Sequence, residues 1–139
     1  QQKAREATQE AQVGGEGNGE VNDQIRRSEL NWLHKDPECA WVFEKLSHVV
    51  SSLNVDYFGF ELTGFGEALQ LTNYHEARQG TYKWHQDFGS AGVSRKLSLV
   101  LQLSDLITVF PAWTLHQVTP VIKGTRQTLV TWASGPNFK

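Results

Sequence analysis

The sequence has a single cysteine, Cys39, no methionine and only four prolines in 139 residues. One thiol cannot build a disulfide framework, and it suits a reducing compartment, so a cytoplasmic location is expected. A translated chain starts on methionine, whereas this one opens on Gln1, so part of the natural N-terminus is expected to lie outside it. Charge of one sign is missing too: 13 basic residues face 15 acidic ones, for a net charge of −2. Phosphate recognition needs a clustered basic excess, so no nucleic-acid partner is expected. Apolar runs end after a few residues, far short of the roughly 20 that a membrane-spanning helix requires, so no membrane partner is expected either. What is present is 39% hydrophobic residues, with five Trp, seven Phe and three Tyr. That composition supports one packed domain over 1–139 with an aromatic-rich core.

Hydrophobic periodicity divides the chain into a helical part, 1–55, and a β core, 56–139. Residues 1–12 read as a polar helix with a stripe at Ala4, Ala7 and Ala11, broken by the glycines at 14, 15, 17 and 19. A second helix is expected from about Asn22 to Leu33. A third has the strongest start signal, with Asp36 as N-cap, Pro37 in the first turn and Glu38 at the positive end of the dipole. Val42, Leu46, Val49, Val50 and Leu53 then recur at helical spacing, and Asn54 is the expected stop. Beyond 55 the period shortens to two. Leu69 and Leu71 alternate with Gln70, Thr72 and Tyr74, and Leu97, Leu99, Leu101 and Leu103 alternate strictly. Further strands are expected over 80–88, 107–111, 113–118 and 126–133. Strands in succession without intervening helices imply antiparallel β, with the helices packed on one side of a sandwich or barrel.

The chemistry-bearing residues fall inside those strands. His85 and Asp87 stand two apart, which in a strand places both on one face, and His116 lies in a later strand. Two imidazoles and one carboxylate are the ligand set of the facial triad of non-haem Fe(II) oxygenases, which leaves open positions for substrate and O2. The same residues would also serve as two surface polar groups and a satisfied core histidine. Ten residues past His116, Arg126 opens an apolar strand and is expected to turn back beside His116. A guanidinium in such a place needs an anion, and its planar fork matches a carboxylate; an internal acid is the alternative partner.

The segments YKWHQDFG (82–89), RKLSLVLQLSD (95–105) and TVFPAWTLHQVTPVIKGTRQTLVTWASGP (108–136) resemble the 2-oxoglutarate- and Fe(II)-dependent oxygenases, closest to the prolyl 4-hydroxylase branch with its PKHD-type members. The family pattern, Tyr, then His-x-Asp, then His, then Arg or Lys about ten residues on, is matched by Tyr74, His85, Asp87, His116 and Arg126. IRRSELNWL and FGFELTGFGEALQLTNY resemble its earlier parts, so the likeness spans most of 21–136. The resemblance implies a double-stranded β-helix (jelly-roll) core with N-terminal helices on one side. It further implies that His85, Asp87 and His116 bind Fe(II), and that Arg126 and Tyr74 hold the distal carboxylate of 2-oxoglutarate. O2 would be the second cosubstrate, ascorbate an accessory reductant, and a proline-containing peptide or protein the substrate.

Tyr82 and Trp84 flank the metal motif and either line the substrate cleft or pack. Trp132 is expected in the core below the cosubstrate, and Arg95, Lys96, His34, His48 and His75 at the surface or in caps. Two other activities fit the same residues: hydroxylation of a free amino acid or small molecule, and a non-catalytic jelly-roll module with a structural metal. Only 31 residues separate His85 from His116, where the family places an additional hairpin. Either the chain is a shortened version or further residues follow Asp105. Ser104-Asp105-Leu106 lacks the Gly or Asn that tight hairpins favour, which points to the second.

Overall fold

The computed structural model describes residues 9–10, 12–13, 20–88 and 94–137. Short strands come first: β1 (Gln9–Glu10), β2 (Gln12–Val13), β3 (Glu20–Val21), β4 (Arg26–Arg27) and β5 (Glu29–Leu33). Helix α1 (Ala40–Leu53) follows. The rest is β: β6 (Gly64–Phe65), β7 (Leu69–His75), β8 (Thr81–His85), β9 (Arg95–Gln102), β10 (Leu106–Pro111), β11 (His116–Val118) and β12 (Thr125–Ser134).

The larger sheet has the order β1-β5-β7-β12-β9-β10, with β6 on the far end of β12; the smaller is β11-β8-β4. All pairings of these two sheets are antiparallel. The two sheets face each other as a jelly-roll sandwich, and α1 covers the outer face of the larger one. Phe43, Leu46 and Val50 of the helix pack with Leu69, Leu97, Leu99, Leu129 and Ala133 in one core cluster. Apart from Ala133, each of those side chains contributes on the order of 1.5–3 kcal/mol by leaving water.

The strict alternation of β7 and β9 explains the layering. Leu69, Leu71, Leu97, Leu99 and Leu101 belong to the helix side. Their alternates Gln70, Thr72, Tyr74 and Ser98 are buried between the sheets. The inner layer is therefore largely polar, and it is where the site lies.

The helix expected from about Asn22 to Leu33 is not found. Residues 26–33 form β4 and β5, with Arg26, Ser28 and Leu30 buried at alternate positions. The Ala4, Ala7 and Ala11 stripe and the glycines at 14, 15 and 17 lie outside the described residues, but Gln9–Glu10 and Gln12–Val13 are strands paired with β5 and β3. Sheet pairing outweighed weak helical patterns, since a polar stripe buries too little to hold a helix. The third helix starts later than expected, at Ala40 with Cys39 as its N-cap, and Asp36 caps the turn that leads into it, its Oδ1 accepting the N–H groups of Glu38 (2.9 Å) and Cys39 (2.8 Å). Its α-helical part ends where expected, at Leu53 with Asn54 as C-cap. A π-helical turn continues over Asn54–Phe58 and closes on Gly59 at φ +68°. Asn54 also ties down the exit, its amide giving to Phe60 O (2.8 Å) and accepting from Phe60 N (3.0 Å).

Between β9 and β10 the chain turns in three residues. Asp105 takes φ +90°, its N–H reaching Gln102 O at 3.2 Å. Leu103 and Leu106 are more than half exposed there.

Candidate metal centre and anion site

His85 ends β8 and His116 begins β11, and the two are direct register partners across the smaller sheet. The Nδ1 atom of His85 lies 2.7 Å from Lys83 O, and that of His116 lies 2.8 Å from Thr114 O. A carbonyl oxygen only accepts, so each Nδ1 carries the proton and each Nε2 presents a lone pair. His85 Nε2 stands 3.6 Å from Asp87 Oδ1, and His116 Nε2 stands 3.6 Å from Asp87 Oδ2. These separations are too long for hydrogen bonds and suit three donors sharing one ion. One ligand atom from each residue falls within 4.8 Å of the others.

Burial, opposed by the Lys83 carbonyl and reinforced by the neighbouring His116, pushes the His85 pKa below its ordinary value. The neutral imidazole that results is the ligating form. Tyr82 stacks on the His85 ring (centroids 3.5 Å apart, planes at 15°), and Phe110 meets His116 edge-on at 4.7 Å. The donor set, the fixed tautomers and the convergence fit a divalent transition metal.

Asp87 does not share a strand with His85, because β8 ends at that residue. It is held from β9 and from the residue after β10: its N–H donates to Ala112 O (2.9 Å), its carbonyl accepts from Arg95 Nη1 (3.3 Å), and Oδ2 accepts from Ser98 Oγ (2.7 Å). Arg95 and Lys96 are buried, against the expectation of solvated residues. Glu67 neutralises Arg95 bidentately, with Nε to Oε2 at 2.6 Å and Nη2 to Oε1 at 2.5 Å. The face of Trp132 carries the guanidinium at 3.7 Å, so this tryptophan is in the core, as expected.

Arg126 does not lie beside His116 along a hairpin. His116 belongs to the smaller sheet, whereas Arg126 is on β12 of the larger one, opposite Tyr74 of β7. Its Nε donates to Gln102 Oε1 at 3.2 Å, and its guanidinium carbon lies 5.9 Å from the centre of the Tyr74 ring. Among the described residues these polar partners are neutral, so the acid that could have paired with it internally is not there. Tyr74 is buried at 3% exposure. Tyr82 packs on a ligand ring, and Trp84 is 61% exposed beside it. His34 and His48 are at the surface, and His75 bridges Thr125 (3.0 Å) and Glu29 (3.3 Å).

Ser98, Glu67, Gln102 and Arg26 were not singled out by the sequence. Arg26 is 5% exposed, donates to Ser28 Oγ (3.0 Å) and Gln70 Oε1 (2.8 Å), and sits 4.6 Å above the Tyr82 ring. No described carboxylate meets it. Read as a strand, RRSEL would have revealed Arg26, Ser28 and Leu30 as one face.

No protein-family model matches the chain, and no curated protein matches it in sequence. Solved structures do. A prolyl-4-hydroxylase of Pseudomonas putida superposes with a TM-score of 0.63 at 17% identity, over 84% of this chain and 75% of the other. A prolyl hydroxylase from Trichoplax adhaerens, in complex with a hypoxia inducible factor oxygen degradation domain peptide fragment, gives 0.71 at 13% identity over 91% and 70%. The viral collagen prolyl hydroxylase of Paramecium Bursaria Chlorella virus-1, in its 2OG complex, gives 0.64 at 17% over 81% and 81%. At these identities the likeness establishes a shared jelly-roll fold.

Proposed function

We propose that this chain is an Fe(II)- and 2-oxoglutarate-dependent dioxygenase that hydroxylates prolyl residues in a peptide or protein. The observation that carries the reading is a pairing on facing sheets. A His-Asp-His cluster with both Nε2 lone pairs turned toward the carboxylate faces a sheet whose Arg126 meets neutral partners among the described residues. A structural metal site has no use for such an arginine, whereas a dicarboxylate chelated at one end needs one at the other.

When bound, Fe(II) supplies the oxidising chemistry, using O2 and decarboxylation of 2-oxoglutarate to replace a C–H hydrogen by hydroxyl. The chain's own part is geometric. His85, Asp87 and His116 hold the ion, and Arg126, steadied by Gln102 and Tyr74, binds the far carboxylate and fixes how the cosubstrate lies. The polar layer between the sheets leaves the C–H to be delivered from outside, past the exposed Trp84, Phe88, Trp113 and Leu115. Trp84, Phe88 and Leu115 adjoin the ligand positions in the chain and Trp113 precedes His116 by three residues, and aromatic surfaces of this kind suit proline-containing extended peptides. The peptide-bound neighbour supports a peptide substrate.

The test is succinate formation with a panel of proline-containing peptides, in the presence of iron and ascorbate, with mass spectrometry of the peptide. A peptide-dependent rise in succinate together with gain of one oxygen atom on proline is expected. Succinate formed only with free amino acids, or none formed with any substrate, refutes the prolyl reading.

A further inference from the structure

Ser98 is fully buried on a strand whose outward neighbours, Leu97 and Leu99, belong to the hydrophobic core. A serine there contributes little to packing. Its hydroxyl is spent on Asp87 Oδ2, at 2.7 Å. Toward the histidines the two carboxylate oxygens are equivalent, Oδ1 lying 3.6 Å from His85 Nε2 and Oδ2 3.6 Å from His116 Nε2, so the Ser98 bond is what tells them apart.

We propose that Ser98 is a positioning residue that keeps Asp87 a one-oxygen ligand: its hydroxyl occupies Oδ2, so that Oδ1 alone is offered to a metal ion. This rests on reading His85, Asp87 and His116 as a metal site. The reason such a residue matters is coordination arithmetic. A six-coordinate ion held by two imidazoles and one carboxylate oxygen keeps three open positions. A carboxylate bound through both oxygens takes one of them. A chelating 2-oxo acid then fills the remaining two, and none is left for O2. Carboxylates chelate readily through both oxygens when nothing restrains them.

Ser98 is not alone in the restraint. The backbone of Asp87 is clamped at both ends, by Ala112 O on its N–H and by Arg95 on its carbonyl. Arg95 is itself immobilised between Glu67 and Trp132. With the main chain fixed, rotation of the carboxylate is the freedom that remains, and the Ser98 hydroxyl removes it. Glu67, Arg95 and Ser98 thus act through Asp87 and need touch neither metal nor substrate.

The experiment uses Mn(II) as the probe. Water-proton relaxation of the Mn(II)-loaded protein counts open positions, and titration with 2-oxoglutarate reads what they can accept. In Ser98→Ala, relaxation per bound Mn(II) is expected to fall by about one third, as three open positions become two. With 2-oxoglutarate saturating, the loaded wild type is expected to keep one open position and Ser98→Ala none, so the relaxation from directly bound water is lost in the variant, with Mn(II) affinity equal or higher. Ser98→Thr, which keeps the hydroxyl, is expected to recover both readouts. Wild-type relaxation in S98A, with and without 2-oxoglutarate, overturns the proposal, as does a loss that Ser98→Thr fails to recover. Reduced Mn(II) affinity with unchanged relaxation per ion overturns it as well, because Ser98 would then only support the fold. Wild-type protein that takes up no Mn(II) overturns the metal reading itself.

Discussion

Removing the Arg126 side chain isolates the anion half of the site from the metal half. In Arg126→Ala the fork disappears, while the three candidate ligands, on β8, β11 and the segment after β8, keep their own contacts. Nε is engaged by Gln102, so the two terminal nitrogens are the pair available to a carboxylate. Loss of a charge-assisted bidentate contact costs about 2–5 kcal/mol when fully desolvated. Arg126 is only part-buried, and screening by water places the effect in the lower half of that range, about 2–3 kcal/mol. That corresponds to roughly 30- to 150-fold weaker 2-oxoglutarate binding. Arg126→Lys keeps the charge but not the planar fork, and is expected to fall between the two. The assay is calorimetric titration of the Mn(II)-loaded protein with 2-oxoglutarate, alongside Mn(II) titration of each variant. Equal 2-oxoglutarate affinity in R126A and wild type refutes the anion assignment; a parallel collapse of Mn(II) affinity would show that Arg126 supports the fold instead.

Asp87→Ala removes the anion from the ligand set and is expected to abolish both tight Mn(II) binding and 2-oxoglutarate decarboxylation; wild-type turnover would exclude the facial-triad assignment. Gly80→Ala would place a Cβ 2.8 Å from Tyr74 Cα and 2.8 Å from the His75 nitrogen. The backbone must shift there, costing about 1–3 kcal/mol of stability, read as a lower Tm, and 2-oxoglutarate affinity should fall with the displaced Tyr74. The natural polypeptide is predicted to carry additional residues between Asp105 and Ile107 that close over the metal when a peptide binds. The strained Asp105 (φ +90°) and the exposed Leu103 and Leu106 motivate this. Peptide mapping that recovers a contiguous Asp105-Leu106-Ile107 refutes it, and proteolysis near Asp105 with and without substrate peptide tests closure.

The β core was legible because its strands are buried on one face by leucine and on the other by small polar groups, a contrast that survives in the one-dimensional pattern. KLSLVLQL needs no tertiary information to declare its two faces. The segment 22–33 was read wrongly for the opposite reason. Ile25, Leu30 and Trp32 fit a loose helical spacing, and a strand whose inner face holds Arg26 and Ser28 has no apolar alternation to betray it. Polar residues facing inward are the signature of a site, and they make the element around a site the hardest to recognise from hydrophobicity alone.

The same asymmetry governs the site. The candidates His85, Asp87, His116 and Arg126 stand out in the sequence because metal and carboxylate chemistry admits few residue types, and the structure brings the first three together. The supporting residues carry none of that constraint. A serine, a glutamine and a Glu-Arg pair occur throughout any chain, and what makes Ser98 meaningful is that the Asp87 backbone is pinned by Ala112 and Arg95 so that one carboxylate oxygen falls at its hydroxyl. Arg126 illustrates the middle case. Its identity was readable, but its position was not, because ten residues of separation from His116 suggested a shared hairpin whereas the chain between them crosses from one sheet to the other. The crossing itself has a physical use. On the proposed function it puts the cation on the sheet opposite the donors, so that a dicarboxylate held at the metal ligands by one end would meet Arg126 with the other.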